Sequence, residues 1–185
     1  TMTIYDHSDS LKNLSESDKS SLSKTGIRVG TKFFFMPHLL KKSSMELSAL
    51  LWKVYYESQE VNLYPLPNDG RVSFICNFTM PDTYWLSIGY INLNDFLVRA
   101  DVFERIFFIA RQKAKYGPFL ESSELMNPAG CNSDQLKNIL SYCGFESISI
   151  SENKKLFFYK SNKKEISKKS AKKIMVRNKK IKKSN

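Results

Sequence analysis

Few residues in this chain stand close enough in type and spacing to do chemistry, and each group falls short of the pattern that chemistry needs. The segment Gly26-Ile-Arg-Val-Gly30-Thr31-Lys32 comes nearest to a phosphate cradle. A phosphate loop of the GxxxxGK type needs lysine directly after its second glycine and then a hydroxyl residue, so that amides and one ammonium converge on a phosphate. Here Thr31 and Lys32 are transposed and one spacer is missing, so a strand with a glycine bulge is expected instead. Asp101 with Glu104, and Glu121 with Glu124, are carboxylates at i, i+3, a spacing open to acid–base work. Both pairs fall in the expected first turns of helices, where negative charge offsets the helix dipole, and that structural role is the one expected. Cys76, Cys131 and Cys143 lack CxxC spacing, and His7 and His38 have no helix-spaced partner. Reduced core thiols and no metal site follow. GxSxG, HExxH and Cys–His arrangements do not occur. The chain alone is therefore expected to be no enzyme and to hold no cofactor.

Charge points elsewhere. The formal net charge is +11, and residues 160–185 hold eleven lysines and Arg177 against the single Glu165. The remaining 17 basic and 17 acidic residues cancel, so long-range attraction for a polyanion comes mainly from this tail. The longest apolar runs, residues 33–36 and 106–110, are far short of the roughly 20 residues a membrane-spanning helix needs. The first residues contain no apolar stretch of signal-peptide length, so a cytoplasmic protein without a membrane partner is expected.

The elements that would position these groups read as an α+β body, since helix and strand mix without regular βαβ alternation. Residues 1–24 form a polar lead-in, with Leu11 and Leu14 at the start of a short amphipathic helix. A strand over 26–36 ends at Pro37, which cannot donate to a ladder. Ser43 and Glu46 have capping-box spacing, and Leu47, Leu50, Leu51, Val54 and Tyr55 repeat at helical intervals, predicting an amphipathic helix over 44–57. A strand over 71–78, a short helix over 80–89 and a short strand over 90–93 complete a body of residues 25–98.

From Arg99 the pattern changes. Val102, Phe103, Ile106, Phe107 and Ala110 share one helical stripe, stopped by Gly117 and Pro118. A short helix over 122–127 follows, then a third with Asn132 as N-cap, Gln135 in the reciprocal box position, and Leu136, Ile139, Leu140 and Cys143 inward. Gly144 stops that helix, and 145–151 and 155–160 alternate as a hairpin about residues 152–154. Three helices and a two-stranded wing give residues 99–160 the order of a winged helix-turn-helix, followed by a disordered Lys-rich tail over 161–185.

The outward face of the third helix would carry Ser133, Asp134, Lys137, Asn138 and Ser141, one acid and one base, which is thin for groove readout. Aromatics at Phe33, Phe34, Phe35, Tyr84, Trp85, Phe157, Phe158 and Tyr159 offer stacking surfaces, although strand alternation gives core packing to half of each run. Expected contacts to nucleic acid are Lys137 and Asn138 on that helix and Lys154 and Lys155 in the hairpin. In the tail they are Lys163, Lys164, Lys168, Lys169, Lys172, Lys173, Arg177, Lys179, Lys180, Lys182 and Lys183. A flexible polycation of this kind condenses on phosphate backbones.

One resemblance covers nearly the whole chain to about residue 160. Leu14-Ser-Glu-Ser-Asp18-Lys19-Ser-Ser-Leu22-Ser-Lys24-Thr-Gly26-Ile-Arg28-Val-Gly30 leads into residues 33–36, Pro37, Leu39-Leu40-Lys41 and Leu50-Leu51-Trp52. It resembles the region after the ATPase core in alphaproteobacterial superfamily 2 helicases related to the mitochondrial RNA-degradosome helicase. The likeness resumes at Gly89-Tyr90, at Arg99-Ala-Asp101-Val-Phe103-Glu-Arg105, and at Leu125-Met126, Gly130-Cys131, Leu140 and Gly144-Phe145. In such helicases two RecA-like domains hydrolyse ATP. The Walker A lysine, DExH-type carboxylates and arginine-finger motif are not in this sequence, so ATP binding carries over to no residue here.

The resemblance implies a C-terminal piece or split subunit, a non-catalytic accessory region that binds RNA or DNA for a helicase ATPase core acting in cis or in trans. The nucleic acid is expected to be single-stranded and bound without sequence preference. A free-standing winged-helix DNA-binding regulator and a protein-docking adaptor are the alternatives. A regulator would be expected to dimerise and to show a basic recognition helix.

Overall fold

The computed structural model describes residues 4–6, 14–56, 65–77, 79–151 and 154–159, with the backbone alone at 4–6, 151 and 154. The chain is an α+β protein, and its described residues form three antiparallel three-stranded sheets. Among the described residues no helix is long and apolar enough to cross a membrane.

The first sheet joins β1 (Ile4–Asp6), β2 (Arg28–Val29) and β3 (Phe33–Phe35), with β3 central. Between β1 and β2 lies α1 (Glu16–Lys24), whose N-cap Ser15 and Asp18 form a reciprocal capping box. The polar lead-in thus holds a helix, held by its own cap and burying no residue.

The strand expected over 26–36 is a tight hairpin, because the chain reverses at Gly30-Thr31-Lys32. The Gly30 amide donates to the Phe33 carbonyl at 2.8 Å. The turn closes on Glu104, one turn into α4 (Ala100–Ala114). Its Oε2 accepts from the Thr31 amide at 2.5 Å, and its Oε1 accepts from the amides of Lys32 and Phe33, each at 2.8 Å. Three successive amides converge on one anion, the behaviour of a phosphate nest, and a buried carboxylate of the same chain fills it. Glu104 is therefore no dipole ornament and no half of an acid–base pair. A Cβ on Gly30 would lie 2.4 Å from the Glu104 carboxyl carbon, so glycine is required by close approach.

A 3₁₀ turn (Pro37–Leu40) leads into α2 (Lys42–Tyr56), whose first intrahelical bond runs from the Met45 amide to the Lys41 carbonyl. Ser43 lies inside the first turn, not at the cap expected of it. The stripe that predicted this helix is not its buried face. Met45, Ser48 and Ala49 are buried and Trp52 is half-buried, whereas Leu47, Leu50, Leu51, Val54 and Tyr55 are exposed. Two apolar stripes share this helix. The one with small Ser48 and Ala49 lets α2 approach α3 (Asp82–Ser87), where Trp52 meets Tyr84 edge-on at 5.3 Å.

The second sheet has β4 (Ser73–Ile75) and β5 (Tyr90–Leu93) on either side of β6 (Phe96–Arg99). Periodicity missed β6. Asn94 and Asp95 have φ of 53° and 63°, the left-handed pair that a two-residue hairpin turn needs.

The third sheet completes the winged-helix order. After α4 come β7 (Phe119–Leu120), the single turn α5 (Ser123–Met126), α6 (Ser133–Tyr142), β8 (Phe145–Ser151) and β9 (Lys154–Tyr159). Asn132 and Gln135 form the expected capping box, and Gly144 ends α6 with φ of 87°. The added β7 pairs with β9, Phe119 opposite Phe157. One apolar cluster runs from Phe33, Phe35, Ile91 and Val98 through Phe103 and Ile106 to Leu136, Leu140 and Phe157. The boundary expected at 98/99 therefore cuts through a shared core, inside β6 and one residue short of its end.

Glu104→Gln leaves one amide-facing oxygen and turns an NH2 toward buried donors. It is expected to lower unfolding free energy by about 1–3 kcal/mol in urea denaturation. Gly30→Ala should lower it as well by displacing Glu104, whereas any cost of Gly26→Ala comes from its φ of 84° and not from contact, since nothing lies within 4 Å of the added Cβ. Equal stability of Gly30→Ala and wild type would show that the turn does not depend on this contact.

Candidate nucleic-acid interface

On the face of α6 expected to read a groove, Ser133 and Asp134 are engaged by neighbours, while Lys137 and Ser141 stay exposed. Ser133 donates to Glu121 Oε2 at 2.6 Å, and Asp134 accepts from the Lys155 ammonium. Lys155 is buried, so this expected phosphate contact is corrected to a strut between β9 and α6. Lys137 stays exposed and Asn138 is half-buried. The Lys154 side chain and Lys163, Lys164, Lys168, Lys169, Lys172, Lys173, Arg177, Lys179, Lys180, Lys182 and Lys183 lie outside the described residues.

The other acids are also engaged in structure. Arg99 grips Asp101 with two hydrogen bonds, 2.7 and 2.9 Å, and Lys113 meets Glu124 at 2.7 Å. Neither i, i+3 pair brings two carboxylates to one reaction centre. The thiols are buried and form no disulfide, and burial pushes Cys131 up to about 11 and Cys143 higher still, which keeps both as neutral thiols. Among the described residues no group of three or more His, Cys, Asp or Glu is placed to hold a metal ion.

A different surface gathers positive charge. A cleft of about 1010 Å³ opens between the β2–β3 turn, α1 and the C-terminal half of α4. Lys19, Lys32, Arg111 and Lys115 line it. Arg111 on α4 and Lys115 at its C-cap lie four apart and so share a face. Glu104 also lines the cleft, but its oxygens are taken by the three amides of the turn. Lys19 is paired with Glu16 at 2.6 Å across an exposed helical step, a contact that water weakens. Lys32 donates to the Tyr142 carbonyl at 3.1 Å and sits 3.6 Å over the Tyr142 ring, and Lys115 donates to Gln112. These are neutral partners, and among the described residues no carboxylate lies within ion-pair distance of Lys32, Arg111 or Lys115, although Glu104 adds one negative charge to the cleft wall.

Aromatic surface borders the charge. Phe108 and Tyr159 line the cleft and are more than half exposed, while Phe107 beneath them is buried. Cations beside open ring faces suit a single strand, whose phosphates need charge and whose unpaired bases need stacking partners. Of the aromatics singled out in sequence, Phe33, Phe35, Tyr84, Trp85 and Phe157 belong to the core, and Tyr159 reaches the cleft. Phe108 was hidden in the stripe of α4, and Lys19, Lys32, Arg111 and Lys115 are scattered over nearly a hundred positions. The lysine-rich segment follows Tyr159, which lines this cleft, directly in sequence.

The strut between wing and helix responds to pH. The Lys155 hydrogen bond, then its charge, hold the Asp134 carboxyl below the ordinary carboxylate range, and Lys137 adds to this. A lowered folded value means that the contribution is present above the unfolded value of about 4 and lost as pH falls through the folded one. Asp134→Asn should thus melt slightly below wild type at neutral pH, and the gap should close under acid conditions. A gap that persists at the lowest pH where both still fold would assign the loss to something other than the Asp134 charge.

No family model, curated protein or solved structure matches the chain.

Proposed function

We propose that this chain is a non-catalytic accessory region that holds a nucleic-acid strand for an ATP-dependent RNA or DNA helicase, with the ATPase core supplied in cis or in trans. One observation carries the binding half of the reading: Lys32, Arg111 and Lys115, without carboxylate partners among the described residues, line one cleft beside the exposed rings of Phe108 and Tyr159. The link to a helicase rests on the residues that resemble the region downstream of the motor. The tail supplies long-range attraction and the cleft short-range grip, so the favoured ligand is a single strand bound without sequence preference. A free-standing winged-helix regulator is the second reading, favoured by the element order from α4 to β9. The pairing of Ser133 and Asp134 to neighbours leaves α6 a poor reader of bases.

Binding to single-stranded RNA or DNA should fall steeply with salt, each phosphate contact contributing a log–log slope of about 0.7. Deleting residues 161–185 should remove most of that slope and leave weak binding by the body. Arg111→Glu with Lys115→Glu should abolish that remaining binding, while Lys137→Glu should change little. If Lys137→Glu abolishes binding and the other variants do not, α6 is the reader and the regulator replaces the accessory region.

The purified chain is also expected to turn over no ATP with or without RNA, because the amides of its nearest phosphate-like turn are taken by Glu104. Turnover that co-purifies with the chain and is lost in Lys32→Ala would overturn that expectation.

A further inference from the structure

Two helices face each other across the basic cleft, and the core holds only one of them. The helix α4 buries a continuous stripe, whereas α1 buries no residue, and within it only Lys19 and Leu22 are half-buried. A nine-residue helix without a buried side chain is marginal in water. Its ends are satisfied from within. Ser15 and Asp18 box the N-terminus, and at the other end the Gly26 amide donates to the Ser23 carbonyl and the Ile27 amide to the Leu22 carbonyl, each at 3.0 Å. Helix and stop thus form one unit that passes into the first sheet at β2 and can move against α4 without uncovering a buried side chain of its own.

Charge gives that movement a direction. Lys19 lines the cleft from α1, while Lys32, Arg111 and Lys115 line it from the body. Glu16, which pairs with Lys19, lies on the same exposed helix, so the pair travels with α1 and ties it to nothing across the cleft. Glu104 on the opposite wall has both oxygens engaged by the turn amides. Cation therefore faces cation, which opposes docking of α1 on the body. A phosphate between them reverses the sign, because one anion accepts from Lys19 on one side and from Arg111 or Lys115 on the other.

We propose that α1 is a phosphate-operated lid: a strand lying in the cleft draws Lys19 toward Arg111 and Lys115 and closes α1 over its backbone. This rests on the reading of the cleft as a strand-binding site and adds to it how the strand is retained.

Hydrogen exchange of the full chain, read by mass spectrometry with and without a single-stranded oligothymidylate, tests it. Amides of residues 16–24 should exchange fast in the chain alone and slow by about fivefold at saturation, alongside slowing at 28–33 and 107–116. Lys19→Gln should abolish the slowing over 16–24 and keep it at 107–116, and Lys19→Arg should keep both. Lys, Gln and Arg have nearly equal helix propensity, so these exchanges alter the charge and not the helix. Lys24→Gln removes the same charge from an exposed position about 140° round the helix and should also keep both. Slowing at 107–116 with none over 16–24 overturns the lid and leaves the strand-binding cleft standing, whereas no slowing at either overturns both. Residues 16–24 that exchange as slowly as α6 without oligonucleotide mark a fixed wall and overturn the proposal. So does slowing over 16–24 that survives Lys19→Gln, or that Lys24→Gln removes equally.

Discussion

Glu104 receives three successive amides from the turn that joins β2 to β3, and through that contact the N-terminal hairpin is fixed to the central helix. The turn amides cannot use the ladder, and the carboxylate is buried with α4. Each would be costly alone, since a buried anion needs donors and buried donors need an acceptor. Together they lock Lys32 at the mouth of the cleft and Phe33 into the core, where its ring meets Phe103 edge-on at 5.4 Å.

From that junction α4 serves two surfaces. Its buried stripe of Val102, Phe103, Ile106, Phe107 and Ala110 joins the hairpin, the second sheet and the winged-helix elements in one core. Its exposed side carries Phe108, Arg111 and Lys115 to the cleft. The core therefore fixes the spacing of the cations, because side chains on a packed helix keep their positions whether or not a ligand is present. The wing is braced separately, by Lys155 reaching from β9 to Asp134 on α6. That brace ties the one acid of α6 to a lysine of β9 and leaves Lys137 as the helix's exposed base.

The helix α2 shows how a correct periodicity can mislead. Its apolar stripe of Leu47, Leu50, Leu51, Val54 and Tyr55 was legible and predicted the helix, yet that stripe is exposed and Met45, Ser48 and Ala49 are the buried residues. Packing against α3 requires close approach, which Ser48 and Ala49 permit and a row of leucines does not. Helical spacing of apolar residues says that such a face exists. Where one helix carries two opposed apolar faces, spacing alone does not say which of them is buried.

By itself the sequence determined what depends on neighbours within a few residues. The Asn132–Gln135 box, the stop at Gly144 and the stripe of α4 are local devices that stand where they were expected, and the hairpin of β8 and β9 is present with β9 starting one residue earlier, at Lys154. The gathering of charge beyond residue 159 is likewise a property of composition. Tertiary structure decided whatever joins residues far apart. The amides of Thr31, Lys32 and Phe33 meet Glu104 more than 70 positions away, β7 finds β9, and Lys19 and Lys32 come to the cleft that Arg111 and Lys115 line. Neither partner in such a pair has a pattern that names the other, because amides are present at almost every position and a lone glutamate or lysine is most often a solvated surface group. Only the folded core, by fixing which groups lose water together, selects which of them must pair.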